Sequence, residues 1–209
     1  MKVYTFELGR MSNCSYIVEN NGEGIIIDPS WEIGKIEQTL KEENIKPVAV
    51  IFTHGHYDHL TNAEVLLRKY NLKGYIERSD RELASNIPNS MLQTFEGDYA
   101  EKIAGLPVIF MHTPGHTPGS CCIHIESVIF TGDTLFPGAC GRTDLPGSSS
   151  LELGKSLERL SHLIAGTVVY SGHAYGGEGS GVTTIGDEVK NNPFIKLAVE
   201  DPDYFESMI

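Results

Sequence analysis

Positive charge is in short supply in this chain. Its 209 residues include 16 Lys and Arg against 28 Asp and Glu, a formal net charge of −12. A surface of that sign repels phosphate backbones and anionic headgroups, which argues against nucleic acid and against a membrane as partners. Cysteine is scarce too. Cys14, Cys121, Cys122 and Cys140 show no CxxC spacing and no dense framework, so free thiols in a reducing cytoplasm are expected. No apolar run approaches membrane-spanning length. The opening MKVYTFELGR reaches Glu7 and Arg10 without a long apolar stretch, so a signal peptide is not expected. Fixed-period repeats and low-complexity linkers are lacking. What remains, 40% hydrophobic and 21% charged, suits one domain over residues 1–209 with a sizeable core. The sequence is silent on oligomeric state.

Short apolar runs alternate with amphipathic stretches. Residues 3–8 and 15–18 read as strands, NNGEG as a turn, and 25–27 as a β-branched run ending at Asp28-Pro29. Residues 33–44 place Ile33, Ile36 and Leu40 on one helical face, and 61–70 do the same with Ala63, Leu66, Leu67 and Tyr70. LKGYIER reads as a strand. SDRELASN reads as a helix start, with Ser79 as cap and an acidic residue three on. In the second half LPVIFMH, CCIHIE, VIFTGD and GTVVYSGH read as strands. Ser150 is expected to cap a helix with Leu153, Leu157, Leu160 and Ile164 on one face, and Pro193 to limit a last short helix. Strands and helices mixed in this way predict a layered α/β fold.

Histidine, by contrast, is concentrated. IFTHGHYDHL (51–60) packs three histidines and an aspartate behind an apolar run, and burying so many polar groups requires partners. The partners are suggested by a recurring pattern. VAVIFT runs into His54, His56, Asp58 and His59; VIFMHTPG into His116; SVIFTG into Asp133; TVVYSG into His173. Groups at neighbouring strand ends can converge on one edge of a sheet, where loops are exposed and the backbone is rigid. Together they exceed what one tetrahedral ion needs and suit two ions sharing a carboxylate. His54 and His56 can point to one side of an extended loop, Asp58 and His59 can serve a neighbouring ion after a turn, and Asp133 can give one oxygen to each. His162, on a polar helix face, and His124, in a strand alternation, stay outside this set, and His112 is only a sequence neighbour of His116.

THGHYDH (53–59) resembles the THxHxDH signature of the metallo-β-lactamase superfamily. TPGHTPGS (113–120), TGDTLF (131–136) and SGH (171–173) resemble its later motifs, in the same order. The resemblance implies an α/β, αββα four-layer sandwich with a dinuclear site at one edge. It implies two divalent metal ions, zinc first, with iron or manganese as alternatives. His54, His56 and His116 would hold one, Asp58, His59 and His173 the other, and Asp133 would bridge them. Asp28, in IIIDP, matches a position that supports the site from behind the ligands; read without the resemblance it is a turn residue before Pro29.

Asp58-His59 and Asp133 resemble the glyoxalase II (hydroxyacylglutathione hydrolase) group, and GACGRTDLPGS (138–148) resembles its short members. This implies a small-molecule thioester substrate, hydrolysed by a metal-bridging hydroxide, with Asp58 as the catalytic carboxylate that orients the nucleophile or takes its proton. It also implies substrate contacts at Arg142 and at Tyr175 of SGHAY. A salt bridge with Asp144 is the alternative role for Arg142. A second branch resembles the chain as well. Persulfide dioxygenases share THxHxDH, a GCGRTD stretch (ACGRTD here) and HxYxG. They use one iron, on the equivalents of His54, His116 and Asp133, with positions open for oxygen and substrate. GDTLF favours the hydrolase, since the dioxygenases more often carry GDALL.

Overall fold

Asn21 and Gly22, both at positive φ (52° and 82°), turn the chain tightly between its second and third strands. Asn-Gly is the pair that adopts such a hairpin turn most readily. In the computed structural model, which describes residues 1–174 and 181–209, the strands assemble into two six-stranded mixed sheets. The first contains β1 (Lys2–Leu8), β2 (Asn13–Asn20), β3 (Glu23–Ile27), β4 (Lys46–Ile51), β5 (Gly74–Glu77) and β6 (Leu92–Phe95), in that order. β1, β2 and β3 pair antiparallel; β3 to β6 run parallel. Parallel neighbours need crossovers, and α1 (Ile33–Glu42), α2 (Tyr57–Leu60) and α3 (Ala63–Tyr70) lie in two of them.

The second sheet follows in sequence. It contains β7 (Tyr99–Ile103), β8 (Leu106–His112), β9 (Cys121–Ile125) and β10 (Val128–Gly132). After a small hairpin, β11 (Leu135–Phe136) and β12 (Ala139–Cys140), it is completed by β13 (Val168–Ser171) and β14 (Val182–Thr184). The chain also forms α4 (Ser150–Ser161), α5 (Ile185–Asn191), α6 (Pro193–Glu200) and α7 (Pro202–Met208).

The triple isoleucine of β3 shows how the layers stack. Successive side chains of a strand point to opposite faces. Ile25 and Ile27 join the core between the sheets, with Tyr16, Ile51, Phe110 and Phe130. Ile26 joins the outer core with Ile36 and Leu40 of α1 and Leu66 and Leu67 of α3. All three isoleucines are fully buried, which is why the run does not alternate with polar residues. On the far side, Cys122, Ile129 and Val169 of the second sheet pack under Leu153, Leu157, Ile195 and Phe205 of α4, α6 and α7. The result is the αββα four-layer sandwich that the sequence motifs imply.

Four local expectations are corrected. α4 is capped by Ser149, whose hydroxyl accepts from Glu152 N (3.3 Å), and not by Ser150. It ends at Ser161, so Ile164 lies beyond it and is 82% exposed. Pro193 opens α6, where its missing N–H costs nothing, and Asn192 caps that helix. Finally, Ser79 does not cap a helix. Residues Arg78–Asp80 form one 3-10 turn in which the Glu77 carboxylate accepts from Ser79 N (2.6 Å). The pull that keeps this segment from becoming an α-helix comes from Asp80, described below. Among the described residues no helix is long and apolar enough to cross a membrane. The four cysteines are unpaired, and all but Cys140 are buried.

Candidate metal centre

The strand ends singled out above meet on one edge, where the two sheets are stitched together. Cys121 N donates to Thr53 O (2.8 Å) and Cys14 N to Gly172 O (2.7 Å). β4 delivers Thr53 and His54 to this edge, and the single turn of α2 presents Asp58 and His59. The loop after β8 brings His116, the end of β10 brings Asp133, and the end of β13 brings His173. His54, His56 and His116 form one group whose ligand atoms all lie within 4.8 Å of one another; Asp58, His59 and His173 form a second. Asp133 stands between them. Its Oδ2 is 3.5 Å from His116 Nε2 and 3.3 Å from His173 Nε2, and its Oδ1 is 3.4 Å from His59 Nε2.

The rings are pinned from behind. His116 Nδ1 donates to Arg142 O (2.9 Å), His173 Nδ1 to Met11 O (2.8 Å) and His59 Nδ1 to the Asp28 carboxylate (3.1 Å). Each bond fixes a tautomer that leaves the Nε2 lone pair facing inward, which is how ligating imidazoles are usually prepared. Asp28 is held in turn. It sits at φ 47° and accepts from Thr53 N (2.8 Å) and Thr53 Oγ1 (2.6 Å). It is both a turn residue and the support behind His59, so the two readings of IIIDP merge. Asp28 also groups with His54 and His59, but its oxygens are already occupied by Thr53 and by the back of the His59 ring.

Two observations fit this pocket to cations. First, the buried atoms His54 Nε2 and Asp133 Oδ1 make no hydrogen bond, an expensive arrangement for polar atoms away from water. Second, several ring nitrogens face one another. His56 Nδ1 lies 2.9 Å from His116 Nε2, and His59 Nε2 lies 3.3 Å from His173 Nε2. The electrostatics follow. Burial, reinforced by neighbouring imidazoles, pushes His54 well below its ordinary value and His56 down to about 4. Burial pulls His173 the same way, but the Asp133 and Asp58 carboxylates outweigh it and raise the group to about 10. Burial pushes the Asp58 and Asp133 carboxyls up, and the facing histidines reverse this and hold both below the usual range. The site thus combines imidazole nitrogens, neutral at His54 and His56, with ionised carboxylates, a nitrogen and oxygen set suited to zinc, iron or manganese.

These shifts predict how metal and pH interact. A raised histidine stabilises the folded chain below its unfolded value of about 6.5, and that stability is lost as pH rises through about 10 for His173. A lowered histidine does the reverse: His56 contributes above about 6.5 and loses its contribution as pH falls through about 4. Cations held by these ligands would take the place of the His173 proton as the positive charge beside Asp58 and Asp133. The gain in Tm on loading metal-free protein with zinc is therefore expected to be larger at pH 8.5 than at pH 6, in paired melts with and without chelator. A smaller gain at the higher pH would contradict the assignment.

Two residues with direct roles at this edge escape the motif reading. Asn13 is fully buried and donates from Nδ2 to Asp58 Oδ2 (2.8 Å), while its Oδ1 accepts from Trp31 Nε1 (2.7 Å). Asp80 is also fully buried. It accepts from Gly55 N (2.7 Å), Gly119 N (2.7 Å) and Thr117 Oγ1 (2.6 Å), clasping the two loops that carry His54, His56 and His116. Asn13 opens β2 and Asp80 follows β5 by three residues, but neither falls within a motif that marks the ligands. Arg142 lines the cleft over the site and makes the salt bridge with Asp144 that was its alternative role, through two contacts of 2.5 and 2.6 Å. Tyr175 lies outside the described residues.

Comparisons with known proteins agree with this geometry. The family model described as "Metallo-beta-lactamase superfamily" matches residues 8–173. The probable polyketide biosynthesis zinc-dependent hydrolase PksB of Bacillus subtilis is 33% identical over 168 residues, 79% of this chain and 74% of that protein. The crystal structure of TTHA1623 in a di-iron-bound form superposes with a TM-score of 0.78 at 31% identity, covering 91% of this chain and 99% of that one. The structure of ETHE1 from Myxococcus xanthus superposes with a TM-score of 0.87 at 26% identity, covering 100% and 89%. Motif, four-layer fold and family match thus converge, and the chain belongs to the metallo-β-lactamase superfamily of metal-dependent hydrolases.

Proposed function

We propose that this protein is a dinuclear metal-dependent hydrolase of small-molecule thioesters, of the glyoxalase II type. The observation that carries the reading is the position of Asp133, within 3.5 Å of imidazoles from both histidine groups. His54, His56 and His116 would hold one ion, Asp58, His59 and His173 the other, and Asp133 would share its oxygens between them. When bound, such ions lower the pKa of water toward about 7 and polarise a carbonyl oxygen. The chain supplies the rest. Asp58 lines the cleft and is kept ionised, so it can orient a water or accept its proton. Asn13 fixes the plane of that carboxylate. A thiolate leaves without help from a strong acid. The hydrolase named among the relatives and the di-iron form of TTHA1623 support a hydrolytic, two-ion site and leave zinc and iron both open.

A mononuclear-iron persulfide dioxygenase is the second reading, with iron on His54, His116 and Asp133. The similarity to ETHE1 over the whole chain favours it. Metal quantification on anaerobically purified protein, run beside a thioester panel and oxygen uptake on glutathione persulfide, separates the two. Two ions per chain and thioester turnover without oxygen uptake are expected. One iron with oxygen consumption would replace the hydrolase by the dioxygenase.

A further inference from the structure

The cleft over the site, about 490 Å3 in volume, is walled by Met11, Tyr57, Phe136, Ala139, Cys140 and Leu145 around the candidate ligands. Of the chain's 16 Lys and Arg, Arg142 alone lines it among the described residues, and residues 175–180 contain neither Lys nor Arg. The Arg142 guanidinium is already forked onto Asp144. Glutathione carries two carboxylates at neutral pH, and one shared guanidinium cannot match both. A desolvated carboxylate without a partner is costly.

Met11 also lines a second cleft of about 570 Å3, formed with Gly9, Arg10, Trp31, Glu32 and Asn62. Met11 is thus a wall that the two clefts share. Tyr57 of the first stands edge-on to Trp31 of the second, with ring centroids 6.3 Å apart at 88°. Trp31 is a built wall. It sits at φ 42°, a conformation that bulky residues avoid. Its carbonyl is held by Asn62 and its indole N–H is spent on Asn13, so the ring presents carbon surface. Arg10 and Glu32 contribute one charge of each sign, so this second cleft is no anion site either.

We propose that the substrate is a thioester with an apolar arm that runs past Met11 onto Trp31, on a carrier other than glutathione. The proposal rests on the thioesterase reading above; it keeps the glyoxalase II type of metal site and chemistry and replaces glutathione as the carrier. Its test uses zinc-loaded protein and two series of uncharged thioesters: straight acyl chains of increasing length on N-acetylcysteamine, and straight S-alkyl chains on a fixed acetyl group. In one of the two series KM is expected to fall about three- to fourfold per methylene until the wall is covered. The glutathione counterpart of the best substrate should be no better. Trp31→Ala should flatten the length dependence. Trp31→Phe, which keeps an aromatic face, should retain it while altering kcat, because the bond to Asn13 is lost. KM independent of length in both series, or a glutathione thioester favoured more than tenfold in kcat/KM, would overturn the proposal. Failure to hydrolyse any thioester would be a different result, and would remove the thioesterase reading beneath it.

Discussion

Replacing Asp133 by alanine is expected to abolish turnover and to empty the site of most of its metal. Among the described residues, this carboxylate alone is within 3.5 Å of His59, His116 and His173 together. Without it, each ion would lose a ligand and the positive charge of the pair would lose its shared counter-ion. Electrostatic and Lewis-acid stabilisation of several kcal/mol is at stake, so kcat/KM should drop by about a thousandfold or more. Metal per chain, measured after exhaustive washing, should fall below one. Asp133→Asn keeps the shape but removes the charge, and should recover part of the metal content and little of the rate. Full activity of Asp133→Ala with stoichiometric metal would dismiss the bridge. A loss of rate with both ions retained would instead assign Asp133 to the chemistry and leave another residue to join the ions.

The second large effect is expected at Asp80, which touches none of the proposed ligands. Its carboxylate only accepts hydrogen bonds, on Oδ1 from Gly119 N and on Oδ2 from Gly55 N and Thr117 Oγ1. The packing leaves no slack. A Cβ on Gly55 would fall 2.8 Å from Asp80 O, and one on Gly119 would fall 2.7 Å from Asp80 Cγ. Asp80→Asn therefore points an amide N–H at a backbone N–H, Gly119 or Gly55, in either orientation; the Thr117 hydroxyl can rotate to accept, but the backbone donors cannot turn. Residues that orient ligands typically contribute 10–100-fold to metal affinity. A loss of about that size is expected for the ion on His54, His56 and His116, with the group on Asp58, His59 and His173 much less affected. Competitive titration with a chelator should show two affinities drawn further apart than in wild type. Equal weakening of both would mean that Asp80 supports the fold at large rather than this pair of loops.

The contrast between Asp133 and Asp80 shows what can be read from the chain before folding. Asp133 follows an apolar strand and precedes a turn, as do His54, His116 and His173, so a repeated local pattern marks all of them. The layers were legible for a related reason: the β-branched run Ile25–Ile27 marks a strand and the helical spacing of Ile36 with Leu40 marks a buried helix face, both from local geometry. Asp80 has no such pattern. Its neighbours Ser79 and Glu82 imitate a helix start, and only three long-range bonds, to residues 25 to 39 positions away, override that local preference. Asn13 is hidden in the same way, since its partners Trp31 and Asp58 lie far along the chain. Ile164 fits the helical face by spacing, yet α4 has ended before it. Supports behind a site depend on tertiary contacts, whereas ligands depend more on where strands stop.

The chain passes from one sheet to the other once, through residues 96–98, so the sheets correspond to consecutive stretches of sequence. His54, His56, Asp58 and His59 belong to the leading stretch, while His116, Asp133 and His173 belong to the trailing one. Neither stretch carries a complete group, since each of the two draws ligands from both. Cut at that crossing, the two fragments are each expected to bind metal weakly and to recover tight uptake only when mixed, so that metal uptake reports their association.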